Sequence, residues 1–175
     1  MKKLLIVVDY QNDFVNGSLG FEGAEKLDDV ICKKISQYRE NGDDIIFTLD
    51  THSEGYLSTQ EGKNLPVEHC IKDSEGHKLF GNVANMASEY DLFFEKPTFP
   101  SLKLGVYLKG KEYESVELCG LVSNICVISN AIIAKAALPE AEIIVDKSAT
   151  DSFDKELNEK CFDIMKGLQI TIIGE

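Results

Sequence analysis

The chain alternates short apolar runs with longer segments in which apolar residues recur every three or four positions. Six apolar runs predict β-strands at residues 4–10, 44–50, 91–96, 115–121, 141–148 and 169–175. Because these runs are continuous and do not alternate apolar with polar residues, they are typical of a parallel sheet covered on both faces.

Helical periodicity predicts the segments that connect these strands. In residues 25–41 and 154–168 the apolar side chains fall on one face of a helix. Residues 124–138 are apolar nearly all round, which predicts a deeply buried helix with Ser123 as its N-cap. Residues 101–110 predict a further short helix. This alternation predicts a doubly wound α/β fold: a six-stranded parallel sheet with helices on both faces and right-handed crossovers.

One segment interrupts the alternation. Residues 51–90 join the second and third predicted strands through about forty residues rich in Ser, Glu, Gly and His. Connections of this length in compact domains are usually functional or disordered. His52 and His69 lie in this segment, whereas His77 lies in a more polar stretch and is expected at the surface.

Composition limits the class of protein. The 175 residues suit one domain, residues 1–175, and the net charge of −12 argues against a nucleic-acid partner, since phosphate binding needs clustered Lys and Arg. The apolar run after Lys3 breaks at Asp9, too soon for a signal peptide, and no segment is long enough to span a membrane. We therefore expect a cytoplasmic protein without membrane contact. The five cysteines contain no C-x-x-C pair and are expected to be free thiols.

Residues with functional side chains stand where the predicted strands end. Asp9, Asp50 and Lys96 lie at the ends of the first three strands, and Gly120 in the fourth leads to Cys126. Ligands of such sheets bind beyond the carboxyl ends of the strands. We therefore expect these residues to converge on one crevice.

Cys126 has the setting of a nucleophile. If Ser123 caps the helix, the thiol lies in the first turn, where unpaired N–H groups and the helix dipole lower its pKa. Lys96 would favour the thiolate, and Asp9 could take the proton and return it to a leaving group. Each residue also has an ordinary explanation, as a buried space-filler, a surface lysine or a turn residue. The hypothesis depends on their convergence.

A second group has the composition of a metal site. Asp50 and His52 form a D-x-H motif, followed by Glu61 and His69. Two imidazoles with one or two carboxylates can hold Zn, Mn or Fe and leave positions open to water. The motif is weak by itself, because a loop histidine is usually solvated.

Together, VVDYQNDF, D-x-H, FEKP and GLVSNICV resemble the isochorismatase-like cysteine hydrolases, and within them the nicotinamidases. The resemblance covers essentially the whole chain. It implies a catalytic triad of Asp9, Lys96 and Cys126, and a cis peptide bond between Leu121 and Val122. It also implies an oxyanion hole built from the N–H groups of Val122 and Cys126.

The resemblance to nicotinamidases further implies a divalent metal that holds the pyridine nitrogen. Its ligands would be Asp50, His52 and His69, with Glu61 in a position that some members use. We expect Zn, with Mn or Fe as alternatives. The implied reaction is attack of the thiolate on an amide carbonyl, loss of ammonia with a proton from Asp9, and hydrolysis of the thioester by water.

The substrate contacts depart from the pattern of the nicotinamidases. An aromatic residue often precedes the proline before the metal histidine there, and this chain has Leu65 at that position and no Trp. Stacking on the substrate would then fall to Phe14, with Tyr56 or Phe99 as further candidates. We predict that Phe14, Leu65 and Phe99 contact the substrate.

Two other functions compete with this interpretation. A metal-free relative would act on isochorismate or on a carbamoyl or ureido compound, and the D-x-H motif with His69 argues against it. A non-catalytic binding protein based on a metal or a thiol is the alternative from another class, and the coexistence of Asp9, Lys96 and Cys126 argues against it. For the nicotinamidase interpretation we expect a small-molecule amide substrate and a homo-oligomer.

Overall fold

The computed structural model describes residues 1–174, which form a parallel sheet between layers of helices. The strands are β1 (Lys2–Val8), β2 (Asp44–Asp50), β3 (Leu92–Lys96), β4 (Tyr113–Leu121), β5 (Glu142–Asp151) and β6 (Thr171–Ile173). Their order in the sheet is β3-β2-β1-β4-β5-β6. The predicted six-stranded fold is confirmed over these residues. Glu175, which ends the last predicted strand, lies outside the described residues.

Helices cover both faces of the sheet. They are α1 (Asn12–Val15), α2 (Leu27–Glu40), α3 (Gln60–Asn64), α4 (Gly81–Met86), α5 (Leu102–Leu108), α6 (Ile128–Ala137) and α7 (Lys155–Gly167). One core lies between the sheet and α5, α6 and α7, and the other lies between the sheet and α2 and α4. Both faces of the strands are therefore buried, which explains their continuous apolar sequences. Within residues 1–174, no helix has the length and apolar character needed to cross a bilayer.

The strand order reverses between β1 and β4, and this opens a crevice at their carboxyl ends. Gly120 lets the two strands approach closely there. Its φ is +105°, and a Cβ atom at this position would lie 2.0 Å from the carbonyl oxygen of Val8. Only glycine suits both conditions.

The start of the buried helix differs from the prediction. α6 begins at Ile128, and residues 123–127 form a wide turn in which the N–H of Val127 donates to the carbonyl of Val122, 3.1 Å away. Ser123 does not cap a helix, because its hydroxyl donates to the side chain of Asn158 on α7. Cys126 therefore lies in the wide turn and not at the third position of a regular α-helix.

The long connection before β3 is more ordered than its composition suggests. Residues 51–90 contain α3, α4 and a short helical turn at Tyr56–Ser58. His77 is buried, with its Nε2 atom 2.8 Å from the hydroxyl of Thr51, so the prediction that it lies at the surface is wrong. Its carbonyl also accepts a hydrogen bond from the side chain of Gln11, so this segment packs against the end of β1.

Candidate active site

Three residues from different strand ends meet beyond the carboxyl edge of the sheet. Asp9 directly follows β1, Lys96 ends β3, and Cys126 lies in the wide turn after β4. The Nζ atom of Lys96 is 2.5 Å from Oδ2 of Asp9 and 3.5 Å from Sγ of Cys126. All three side chains are buried. The lysine thus contacts both the carboxylate and the thiol.

Asp9 is held in an unusual backbone conformation. Its φ is +47°, in the left-handed region that non-glycine residues adopt rarely and often at functional sites. The N–H of Asp9 donates to the carbonyl of Thr48 at 3.1 Å, and the hydroxyl of Thr48 donates to Oδ1 of Asp9 at 2.6 Å. One carboxylate oxygen is therefore held by Thr48 and the other by Lys96.

The electrostatics of this group differ from the prediction. Burial raises the pKa of the Cys126 thiol well above its usual value; Lys96 opposes the increase, and Asp9 and Asp50 add to it. The expected lowering is wrong, because desolvation of an almost completely buried thiol outweighs the nearby ammonium. Burial also raises the pKa of Asp9 against the effect of Lys96. The resting thiol is therefore protonated at neutral pH and needs a base to react.

Lys96 keeps its charge in spite of its burial. Desolvation acts to lower its pKa, but Asp9, the thiol of Cys126 and Asp50 together outweigh desolvation, and the pKa is raised. A permanent ammonium between a carboxylate and a thiol stabilises negative charge on either of them. The proton between Asp9 and Cys126 can therefore move without leaving an uncompensated charge.

A second cluster lies beside this group. Asp50 ends β2, His52 follows two residues later, Glu61 is on α3, and His69 is in the segment after α3. One potential ligand atom from each of the four residues lies within 4.8 Å of the others. The Nε2 atoms of His52 and His69 are 3.0 and 3.3 Å from the same oxygen of Asp50. Oε1 of Glu61 is 3.6 and 3.7 Å from these two nitrogens.

The chemistry of these four residues fits a divalent cation. Oε2 of Glu61 is buried without a hydrogen-bond partner. Burial raises the pKa of Glu61, and the charge of Asp50 raises it further. A buried carboxylate (Asp50) and a half-buried one (Glu61) face two imidazoles. This donor set suits Zn, Mn or Fe, and a bound cation would compensate the acidic charge.

Gln11 and Tyr56 hold this cluster in place. The side chain of Gln11 donates to the carbonyl of Asp50 at 2.9 Å and accepts from its N–H at 2.8 Å, so both backbone polar groups at the end of β2 are hydrogen-bonded to one side chain. Tyr56 is fully buried, and its ring packs against His52 and His69 with centroid distances of 4.7 and 4.9 Å. Tyr56 therefore supports the histidines and does not offer a face to a substrate.

A cavity of about 360 Å³ is lined both by Cys126 and by three of the four potential metal ligands. We call Asp50, His52, Glu61 and His69 the metal-competent cluster. The lining of the cavity includes Cys126, Asp50, Glu61 and His69, together with the apolar side chains of Phe14, Leu19, Leu65, Phe99, Val122, Ile125 and Phe153. The three predicted substrate contacts, Phe14, Leu65 and Phe99, all lie in this wall. Among residues 1–174, no lysine or arginine lines the cavity. The space therefore suits a neutral, largely apolar molecule.

Two residues at the cavity, Phe153 and Asn130, were not predicted from the sequence. Phe153 lies just beyond the carboxyl end of β5, and this position at a strand end was a signal for it in the sequence. Asn130 on α6 is fully buried, and its amide nitrogen donates to the carbonyls of Phe99 and Cys126 at 3.0 and 2.8 Å. Asn130 thus ties one wall of the cavity to the turn that carries the thiol, and no local sequence pattern marks it for this role.

The bond between Leu121 and Val122 is cis, as the resemblance to the cysteine hydrolases implies. Comparison with known proteins extends this similarity. Residues 3–174 match the family model of the Isochorismatase domain. A nicotinamidase of Acinetobacter baylyi is 30% identical over 81% of this chain and 78% of its own length.

Solved structures show the same fold. The nicotinamidase/pyrazinamidase PncA from Bacillus subtilis superposes with a TM-score of 0.87 at 27% identity, covering 98% of this chain and 99% of that one. The pyrazinamidase of Pyrococcus horikoshii in complex with zinc has a TM-score of 0.86 at 24% identity, covering both chains completely (100% and 100%).

Proposed function

Since this chain belongs to the isochorismatase family, we propose that it is a nicotinamidase, which hydrolyses nicotinamide to nicotinate and ammonia. The observation that carries the proposal is the cavity itself: its lining combines Cys126 with Asp50, Glu61 and His69 of the metal-competent cluster and with apolar side chains. An aromatic ring with a ring nitrogen and a neutral carboxamide matches these surroundings.

We propose that Cys126 is the nucleophile and Asp9 the general acid and base. Sγ of Cys126 attacks the amide carbonyl while its proton passes to Asp9, and the C–N bond breaks as Asp9 returns the proton to the departing ammonia. Water then attacks the thioester carbonyl and gives a proton to Asp9; the C–S bond breaks, the carboxylic acid leaves, and Asp9 returns the proton to Sγ. Lys96 contacts both Asp9 and Cys126 and stabilises each negative charge in turn.

The oxyanion that forms on the carbonyl needs hydrogen-bond donors. We propose the N–H groups of Val122 and Cys126 for this role. Both residues line the cavity, and the carbonyl of Val122 is engaged by the N–H groups of Ile125 and Val127, which orders the turn between them. Ordered backbone donors of this kind stabilise a developing oxyanion without reorganisation.

We propose that Asp50, His52, Glu61 and His69 bind zinc, with Mn or Fe as alternatives for the same donor set. When bound, the ion would supply a coordination position for the ring nitrogen and so orient the carboxamide. Phe14 lines the cavity with its ring 5.6 Å from that of His69, which supports its proposed role of stacking on the substrate ring. Leu65 and Phe99 complete the proposed contacts.

Isochorismate hydrolysis is the weaker candidate. Isochorismate carries two carboxylates, whereas the cavity wall contains Asp50 and Glu61 and, among residues 1–174, no basic side chain. Burying a carboxylate next to other carboxylates without a cation is costly. A neutral amide avoids this repulsion.

The test combines metal analysis with an assay of ammonia release. The purified protein should contain a divalent metal or gain activity when zinc is added, and it should release ammonia from nicotinamide. Benzamide, which lacks the ring nitrogen, is the matched control and should be a much poorer substrate. A protein that binds no metal and releases no ammonia from nicotinamide would refute the proposal and favour the metal-free branch of the family.

We also propose that residues 1–175 form one catalytic domain, which the family match over residues 3–174 supports. A cytoplasmic location and a homo-oligomer stay predictions. Size-exclusion chromatography with light scattering tests the oligomeric state.

A further inference from the structure

Cys70 has a strained backbone next to a proposed metal ligand. It directly follows His69, it is fully buried, and its φ is +46°. A residue other than glycine keeps this left-handed conformation only where the surrounding structure holds it. The contacts of Cys70 therefore decide where the chain leaves His69.

Both backbone polar groups of Cys70 are engaged. Its N–H donates to Oδ2 of Asp13 at 2.7 Å, and its carbonyl accepts from the N–H of His52 at 3.0 Å. One residue thus connects the two proposed histidine ligands, with His69 on one side along the chain and His52 across the hydrogen bond. The carboxylate of Asp13 holds this connection from the opposite side.

Asp13 is half-buried and has close contacts on several sides. Its N–H donates to the carbonyl of Gly76 at 3.1 Å, and its Oδ1 accepts from the N–H of Ser18 at 3.3 Å. A Cβ atom at Gly76 would lie 2.0 Å from Oδ2 of Asp13, and one at Gly17 would lie 2.3 Å from Oδ1. Gly17 and Gly76 therefore leave the space that the carboxylate occupies, and these close contacts fix the position of the carboxylate.

Asp13 also belongs to the segment that carries the other supports of the site. The stretch DYQND contains Asp9 of the triad, then Gln11, which grips Asp50, and then Asp13. The first two polar residues of this stretch act at the triad and at the first proposed ligand. Asp13 acts near the two proposed histidine ligands, because it accepts a hydrogen bond from the N–H of Cys70, which lies between them.

We propose that Asp13 is a positioning residue of the metal site: through the N–H of Cys70, it sets the separation of His52 and His69. This inference rests on the proposed metal site and adds a residue that is not a ligand. Outer partners of this kind typically change metal affinity by about 10- to 100-fold when they are removed.

The experiment measures zinc affinity by competition with a chromophoric chelator, and the visible absorption spectrum of the cobalt-substituted protein. Asp13→Ala removes the acceptor of the Cys70 N–H and should weaken zinc binding by about 10- to 100-fold and alter the cobalt spectrum. Asp13→Asn keeps an acceptor oxygen and should stay close to the wild-type affinity. Asn12→Ala is the matched control, because it removes a hydrogen bond to the carbonyl of Glu75 in the same loop but leaves Cys70 untouched.

The outcomes separate this inference from the proposed function. If the wild-type protein binds zinc and Asp13→Ala binds it equally well, or loses no more affinity than Asn12→Ala, the positioning role is refuted and the metal site stands. If the wild-type protein binds neither zinc nor cobalt, both the metal site and the role of Asp13 are refuted.

A second pair of variants covers the case in which Asp13→Ala does not fold. Glycine adopts the left-handed conformation without support, so Asp13→Ala/Cys70→Gly can be compared with Cys70→Gly alone. The double variant should bind zinc at least about tenfold more weakly than the single one. Equal affinities would overturn the proposal.

Discussion

The Oδ1 atom of Asp50 lies 3.4 Å from the ammonium nitrogen of Lys96. The other carboxylate oxygen faces His52 and His69. One carboxylate is therefore shared by the candidate metal cluster and the candidate triad. A change at Asp50 should consequently affect both parts of the site.

Asp50→Asn should weaken zinc binding and also lower kcat at saturating zinc, because Lys96 loses one of its three charged or thiol partners. His52→Ala is the matched control: it should lose at least about tenfold in zinc affinity but should recover most of its kcat when zinc is in excess. Steady-state kinetics over a zinc titration measures both effects. Equal recovery of the two variants would mean that Asp50 does not act on the triad.

Cys126 should be the only thiol needed for turnover, since it alone among the five cysteines lines the cavity. Cys126→Ala should abolish ammonia release and leave the circular dichroism spectrum unchanged. Cys161→Ala, which removes a buried thiol on α7, should remain active. Hydrolysis by Cys126→Ala would disprove the mechanism.

The raised pKa of Cys126 predicts how its reactivity depends on pH. Because the folded-state pKa lies above the usual 9.0, the thiolate fraction keeps rising through the alkaline range. The rate at which iodoacetamide labels Cys126, followed by peptide mass spectrometry, should therefore still increase above pH 9. A rate that levels off near neutral pH would show that Lys96 outweighs burial.

Asp9 and Cys126 should act as one unit. Asp9→Asn keeps the shape of the side chain but removes the base, and general acid–base steps typically contribute about a hundred- to ten-thousand-fold. Losses within one catalytic unit do not add. The double variant Asp9→Asn/Cys126→Ser should thus be little worse than the poorer single variant. A loss equal to the product of the two single losses would show independent residues.

Gly120→Ala should destabilise the protein far more than Gly110→Ala. Both glycines have positive φ, but a Cβ at Gly120 would overlap the carbonyl of Val8, whereas a Cβ at Gly110 meets nothing within 4 Å. The control should cost about 1 kcal/mol from backbone strain, and Gly120→Ala should cost at least about 3 kcal/mol or prevent folding. Urea denaturation compares the two. Similar values would mean that β1 and β4 separate easily.

A buried ion network should shape the dependence of stability on pH. Lys34 on α2 forms ion pairs with Asp146 on β5 and, at 2.7 Å, with Glu117 on β4. Burial acts to raise the pKa of Asp146, but the contacts with Lys34 and Ser148 outweigh burial, and the pKa is lowered. Burial acts to lower the pKa of Lys34, but Asp146 and Glu117 outweigh burial, and the pKa is raised.

The signs of these shifts define two pH windows. The contribution of Asp146 is complete above its unfolded pKa of 3.8 and is lost as the pH falls through its lower folded value. The contribution of Lys34 is complete below its unfolded pKa of 10.5 and is lost as the pH rises through its higher folded value. Between these limits Lys34→Met should destabilise by about 3–5 kcal/mol, since it leaves two buried carboxylates without a cation.

Lys2→Met is the matched control for the network, because it removes an exposed ion pair with Asp44. It should change the free energy of unfolding far less than Lys34→Met does, because an ion pair in water contributes little. Urea denaturation from pH 3 to pH 11 measures both variants. Equal effects of the two substitutions would show that the network contributes no more than a surface pair.

The order of elements could be predicted because it depends on local information. A largely apolar run such as residues 44–50 is typical of a strand in a parallel sheet that is covered on both faces, and β2 has these same bounds. Short elements such as α3 and α4 were missed, because five or six residues carry too little periodicity to be recognised.

The fold class and the residues that meet beyond the strands could be predicted from the apolar pattern and the strand ends, since parallel strands bring their carboxyl ends to one edge of the sheet. Tertiary packing sets the protonation of Cys126, because desolvation depends on every atom packed around the thiol. It also sets the hydrogen bond of Ser123, whose hydroxyl donates to Asn158, 35 residues away, and so does not cap a helix. In the same way, Asp13 reaches the N–H of Cys70 across 57 residues of chain. Such contacts depend on side-chain geometry between distant segments, which local periodicity and motif spacing do not contain.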